Sequence, residues 1–198
     1  SAKATTAPRS QILRMRPSSH VSLDRPARAR LECPHITRER GMANLFDLSG
    51  KSGIVTGSSR GIGKQIAYRL AEHGANVVVS SRKQDACDAA AAEINDKLGC
   101  KAAIPVAANI GAKEALQHLV DEANRAFGKI DICICNAASN PYFGPMSGIS
   151  DDQFMKILQN NVISNHWLIN MCAPQMRARK DGAITIISSI GGLKGSPV

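Results

Sequence analysis

Past residue 45 the chain alternates short apolar runs with segments of helical periodicity, and that alternation leaves few folds open to it. Residues 52–56 read as a first strand, with Ile62, Ile66, Ala67 and Leu70 as the apolar stripe of the helix that follows. Val77, Val78 and Val79 form a β-branched run inside a second strand at 76–81, the pattern of a strand buried on both faces. An alanine-rich helix covers 84–98 and stops at Gly99. A third strand at 101–107 precedes a helix whose Ala115, Leu116, Leu119, Val120, Ala123 and Phe127 recur at helical spacing until Gly128. Residues 130–135 give a fourth strand, 151–179 a long helix with a bend expected near Pro174, and 183–188 a fifth strand. Strict strand–helix alternation implies a parallel sheet with right-handed crossovers and helices on both faces.

The first strand runs directly into Thr56-Gly57-Ser58-Ser59-Arg60-Gly61-Ile62-Gly63, whose last two glycines open the first helix. A pyrophosphate needs a tight turn, a backbone it can approach with no Cβ between, and the amide-rich start of a helix. Gly57, Gly61 and Gly63 supply all three at a strand-to-helix junction. The turn therefore reads as the phosphate cradle of a Rossmann-type αβα sandwich that binds a dinucleotide, with Gly57, Ser59, Arg60, Gly61, Ile62 and Gly63 as its cofactor-binding residues.

A site that prefers NAD carries an acid near the end of the second strand to accept from the ribose 2′-hydroxyl. Here that stretch is Val79-Ser80-Ser81-Arg82-Lys83, with no acid. A carboxylate repels a 2′-phosphate, whereas Arg82 offers it a charge-assisted fork and Arg60 a second cation. Ser81 and Arg82 accordingly point to NADP(H). The plainer reading, that Arg82 and Lys83 are solvated charges at a helix start, stays open.

Further along, Asn136-Ala137-Ala138 follows the fourth strand, Asn161 lies in the long helix, and Ile187-Ser188-Ser189 ends the fifth strand. With the glycine turn, these motifs resemble the short-chain dehydrogenase/reductase family in order and spacing over about residues 45–198. The stretches 79–83 and 140–144 are similar to its NADPH-dependent carbonyl/retinol reductase branch. The resemblance implies hydride transfer between NADP(H) and a small-molecule carbonyl or alcohol substrate, in a whole protein that is a homodimer or homotetramer. It implies that Ser189 polarises the substrate oxygen and that Asn161 holds a water in a proton relay. It places Asn136, Ala137 and Ala138 against the cofactor, and Asn109 and Ile110 near its adenine, where family members often carry an Asp before the apolar residue.

The resemblance also implies a tyrosine that exchanges the proton, with a lysine four residues on that lowers its pKa; an unperturbed phenol near pH 10 is a poor base at neutrality. The 198 residues contain no Tyr-x-x-x-Lys, and Tyr68 and Tyr142 stand elsewhere in the pattern. The expectation is a chain that stops short of that motif and of the sheet's last strands, leaving the fifth strand as an open edge. Such a chain binds cofactor weakly, turns nothing over and tends to aggregate. The alternative is a natural short isoform that acts as a non-catalytic nucleotide-binding or oligomer-modulating protein. Tyr142 and Phe143, just after the fourth strand, either wall a substrate pocket or pack their own loop.

Charge and composition remove other classes. Of the net +9, residues 1–41 hold +6, with nine Lys and Arg against Asp24, Glu32 and Glu39. The remainder is too evenly charged to suggest a nucleic-acid partner. Residues 1–41 read as a basic, disordered leader ahead of a dinucleotide domain at 42–198. Met42 reads as the natural start, with a transit segment as one alternative and an uncommitted arm as another. No apolar run reaches the roughly 18–20 residues of a membrane helix. Cys133 and Cys135 share a strand face and read as buried small hydrophobes, and the cysteines show no zinc-like spacing. These features suggest a cytoplasmic protein, or a mitochondrial one if the leader is a transit segment.

Overall fold

The computed structural model describes residues 45–194. Five parallel strands, β1 (Ser52–Thr56), β2 (Asn76–Ser80), β3 (Ala103–Pro105), β4 (Ile132–Cys135) and β5 (Ala183–Ile186), pair in the order β3-β2-β1-β4-β5. The order reverses direction at β1, so the crevice beyond the carboxyl ends of β1 and β4 is the topological switch point where ligands bind in open α/β sheets.

Side-chain alternation along the strands feeds two separate cores. Ile54, Val78, Cys133 and Cys135 face one layer, packed by Leu116, Leu119, Val120 and Ala123 of α3 (Lys113–Phe127) and by Leu168, Cys172 and Met176 of α5 (Ser164–Arg179). Val55, Val77, Val79, Ile132 and Ile134 face the other. There Ala67 and Ala71 of α1 (Gly61–Glu72) meet Ala90, Ala91 and Ile94 of α2 (Gln84–Leu98). Both αL residues that close α2 and α3 are the expected glycines, Gly99 at φ 66° and Gly128 at φ 80°. Cys133 and Cys135 are buried on one face beside Cys172, as small core residues. Their mutual hydrogen bonding, first with Cys135 and then with Cys172, and burial push the Cys133 thiol up and keep it neutral.

Three local expectations are corrected. Ile62 does not belong to the buried stripe of α1: it is 68% exposed, and Gly63, Ala67 and Ala71 are the buried positions. Small residues let the helix lie close on the sheet, which rotates Ile62, Ile66 and Leu70 toward the flank. The regular strands β3, β4 and β5 are shorter than their apolar runs, and single backbone bonds, from Asp131 to the Ser52 carbonyl and from Ile187 to the Cys135 carbonyl, carry the pairing just past the ends of β4 and β5. The helix at 151–179 is not continuous: a π-turn at Gln159–Ile163 separates α4 (Asp151–Leu158) from α5, inside which Pro174 lies.

At the amino ends of the strands, Asp131, 1% exposed, accepts from the Ser52 amide at 3.0 Å, from Lys129 Nζ at 2.9 Å and from Arg179 Nη2 at 3.2 Å. One carboxylate thus joins β1, the entry to β4 and the end of α5. At the other side of the sheet β5 is the outer strand, with all four residues exposed, as expected of an open edge. Among the described residues no helix is long and apolar enough to cross a membrane. The leader at 1–41 lies outside them.

Candidate active site

The glycine turn joins β1 to α1, and each glycine answers a different local demand. Gly57 has φ +65°, and a Cβ there would stand 2.9 Å from the Ala137 Cα. A Cβ on Gly63 would strike the Asn136 carboxamide and the Gly57 carbonyl. Gly61 has φ +57° and nothing within 4 Å, so its missing Cβ leaves open space in front of the helix. The first turn of α1 carries no acidic residue and its N-cap, Arg60, makes no side-chain cap. The free amides and the positive end of the helix dipole therefore face that space.

The turn is locked to its neighbours through Thr56 and Ser58, to which the sequence pattern gave no role, and through the expected Asn136 and Ala137. Thr56 Oγ1 accepts from the Asn136 amide at 3.0 Å and the Ala137 amide at 3.1 Å. In return, Asn136 Nδ2 donates to the Thr56 carbonyl at 2.9 Å and the Gly57 carbonyl at 3.1 Å. Ser58, fully buried, donates to the Val55 carbonyl at 2.6 Å and accepts from the Ser80 amide at 2.8 Å, while its own amide donates to the Ser80 carbonyl at 2.9 Å. Ser58 thus fixes the ends of β1 and β2 side by side, with exposed Arg60 on one and exposed Arg82 on the other. Neither arginine is paired with a carboxylate among the described residues. Ser59 and Ser81 are half-buried, and the Ser81 amide donates to the Cys87 sulfur at 3.1 Å.

After β3, Asn109 is exposed, with its Oδ1 accepting from the Gly111 amide at 3.2 Å, and Ile110 packs against the α3–α5 core. After β4, Ala138 is exposed and Ser139 meets the π-turn. Asn161 lies in that turn. Its Oδ1 accepts from the Ser139 amide and its Nδ2 donates to the Ser139 carbonyl, both at 2.9 Å. A π-turn inserted in a helix re-aims side chains and is common at functional sites. Ser189 follows β5 and is exposed, its Oγ accepting from the Gly191 amide at 3.2 Å. Ile187 donates its amide to the Cys135 carbonyl at 2.9 Å, which sets this segment beside the end of β4. Hydrogen bonds therefore join the glycine turn to Ser80 and to 136–137, and Asn161 to Ser139; none joins Ser189 to Asn161.

The loop after β4 folds on itself. Tyr142 donates its hydroxyl to the Pro145 carbonyl at 2.8 Å, over Gly144 and Gly148, where a Cβ would collide with the phenol. Phe143, by contrast, is 84% exposed. Tyr142 packs its own loop, and only Phe143 is free to wall a pocket.

Known proteins resemble this chain in sequence and in fold. The sequence pattern of the short chain dehydrogenase family matches residues 51–198. Dehydrogenase/reductase SDR family member 4 of Rattus norvegicus is 37% identical over 77% of this chain and 54% of its own length. The chain spans about half the length of the curated relatives it matches. A solved 7α-hydroxysteroid dehydrogenase, complexed with NADH and 7-oxo glycochenodeoxycholic acid, is 33% identical with a TM-score of 0.72, over 78% of this chain and 60% of that one. A metagenomic short-chain oxidoreductase in complex with NADP is 32% identical with a TM-score of 0.69, over 76% and 66%. The two neighbours hold different nicotinamide cofactors, so family likeness alone leaves the cofactor open. This chain belongs to the short chain dehydrogenase family.

Proposed function

We propose that the chain is the cofactor-binding part of an oxidoreductase that transfers a hydride between NADP(H) and a carbonyl or alcohol substrate. The observation that carries the choice of cofactor is that Ser58 and Ser80 join the ends of β1 and β2, after which exposed Arg60 and Arg82 follow, where an NAD site carries an acid. Their guanidinium groups grip the 2′-phosphate, and Ser81, just before Arg82, offers it a third polar contact. The glycine turn fits a pyrophosphate: Gly61 leaves the approach open and the uncapped start of α1 supplies the amides. Asn109 and Ile110 border the adenine, and Asn136, Ala137 and Ala138 border the nicotinamide half.

When bound, NADP(H) supplies or accepts the hydride. Ser189, at the carboxyl edge beside β4, orients the substrate oxygen through its exposed hydroxyl. Asn161 holds the Ser139 segment after β4 in place. Proton exchange at the substrate oxygen needs a further group. The two tyrosines are occupied elsewhere: Tyr68 donates to Glu72 at 3.3 Å on α1, and Tyr142 closes its own loop. We therefore expect these 198 residues to bind the cofactor without turning substrate over. The exposed Phe143 suits an apolar carbonyl compound.

Equilibrium titration of Arg82→Ala tests the reading. NADPH affinity falls about 10- to 100-fold, the worth of a charge-assisted bond, while NADH affinity stays within about twofold. Equal weakening of both cofactors contradicts it.

A further inference from the structure

The π-turn carries three consecutive amide side chains, and they reach two different loops. Gln159 Nε2 donates to the Gly111 carbonyl at 3.4 Å, behind the Asn109–Ile110 pair. Asn161 takes the backbone amide and carbonyl of Ser139. Asn160 lies between them, 8% exposed, and donates Nδ2 to the Ser139 hydroxyl at 2.7 Å. Its Oδ1 is buried with no donor, turned toward Gly111 so closely that a Cβ there would stand 2.9 Å from it.

An orphaned buried acceptor disfavours the fold, and an apolar side chain of similar size at 160 removes it. Anchoring of the loop backbone does not need Asn160 either, because Asn161 already holds both backbone groups of Ser139. What Asn160 adds is one bond to the hydroxyl, which fixes the Ser139 rotamer at the end of the segment 136–139. The backbone carbonyl of Asn160 is separately satisfied by the Ser164 hydroxyl at 2.6 Å, so the π-turn persists without the side chain.

We propose that Asn160 is a positioning residue for the nicotinamide half of the cofactor site, acting through the Ser139 hydroxyl. The proposal rests on the cofactor reading above. Its signature is a split between the two halves of the ligand. The nicotinamide half contacts segment 136–139 and feels the change. The adenosine half contacts the glycine turn, the β2 end and the Asn109–Ile110 pair; Asn160 makes no hydrogen bond to any of these, the bond to the Gly111 loop coming from Gln159.

The experiment titrates the 198-residue chain and its variants with NADPH and with 2′,5′-ADP, which lacks the nicotinamide half, and records a thermal melt of each. Asn160→Val is expected to weaken NADPH about 5- to 10-fold, the loss of one hydrogen bond, with 2′,5′-ADP unchanged and the melting temperature unchanged or raised. Ser139→Ala reads the same bond from its other side and gives the same split even if Asn160→Val fails to fold. The double variant is no weaker than either single one. Equal loss for both ligands, no loss for NADPH, or additive losses overturn the proposal while leaving the cofactor reading intact. Failure of the unsubstituted chain to bind either ligand overturns both.

Discussion

The carboxamide of Asn136 donates to the Gly57 carbonyl at 3.1 Å and occupies the space that a Cβ on Gly63 would need. A side chain from the end of β4 thereby completes the turn between β1 and α1, and packing alone requires a glycine at 63. Gly63→Ala forces the Gly57 carbonyl or Asn136 to move, at a stability loss of about 1–3 kcal/mol in denaturant unfolding. Gly61→Ala meets no atom within 4 Å, so it costs only the left-handed backbone penalty of about 1–2 kcal/mol. Its methyl group would fill the open space that the proposed function gives to the pyrophosphate, so per unit of stability lost Gly61→Ala is expected to abolish far more NADPH binding than Gly63→Ala.

Asp131 is a stability residue remote from the cofactor. It accepts from the Ser52 amide, Lys129 and Arg179 at the amino ends of the strands, opposite the site. Asp131→Ala leaves a buried amide and removes the charge that draws both cations inward. We expect a loss of about 2–3 kcal/mol in urea unfolding. NADPH affinity of the folded fraction stays within about twofold, and a large affinity change would show that the two ends of the sheet are coupled.

Glu93 gives the α1–α2 layer an acid-sensitive link. Hydrogen bonds from Lys64 first and Lys97 second hold its carboxyl down to about 2 from an ordinary value of 4.5. A carboxyl depressed by folding favours the folded state above its unfolded pKa, and that contribution fades as pH falls toward the folded value. Glu93→Gln therefore lowers the melting temperature at pH 7, and the gap to the unsubstituted chain narrows as pH falls from about 4.5 toward about 2. A gap that stays constant over that range contradicts the assignment.

Much of this architecture was legible because it is written locally. The parallel sheet follows from alternation, though its strand order does not; Gly99 and Gly128 mark helix ends that a left-handed residue closes, and the glycine turn sits at its junction as expected. Ile62 misled because the buried stripe of α1 is built from Gly63, Ala67 and Ala71, which carry little hydrophobic signal. The π-turn escaped because apolar spacing continues through it. Ser58 and Asn160 were missed for another reason: their bonds reach Ser80 and Ser139, more than twenty positions along the chain, and no periodicity reports a buried hydroxyl or amide partner at that distance.

The central claim is that Arg60 and Arg82 make this an NADP(H) site, and the affinity ratio of the unsubstituted chain for NADPH and NADH tests it most directly. Tryptophan-quenching or calorimetric titration at fixed ionic strength should give NADPH a Kd at least about tenfold below that of NADH, a gap that shrinks as salt screens the 2′-phosphate. Equal affinities, or a preference for NADH, would contradict the account.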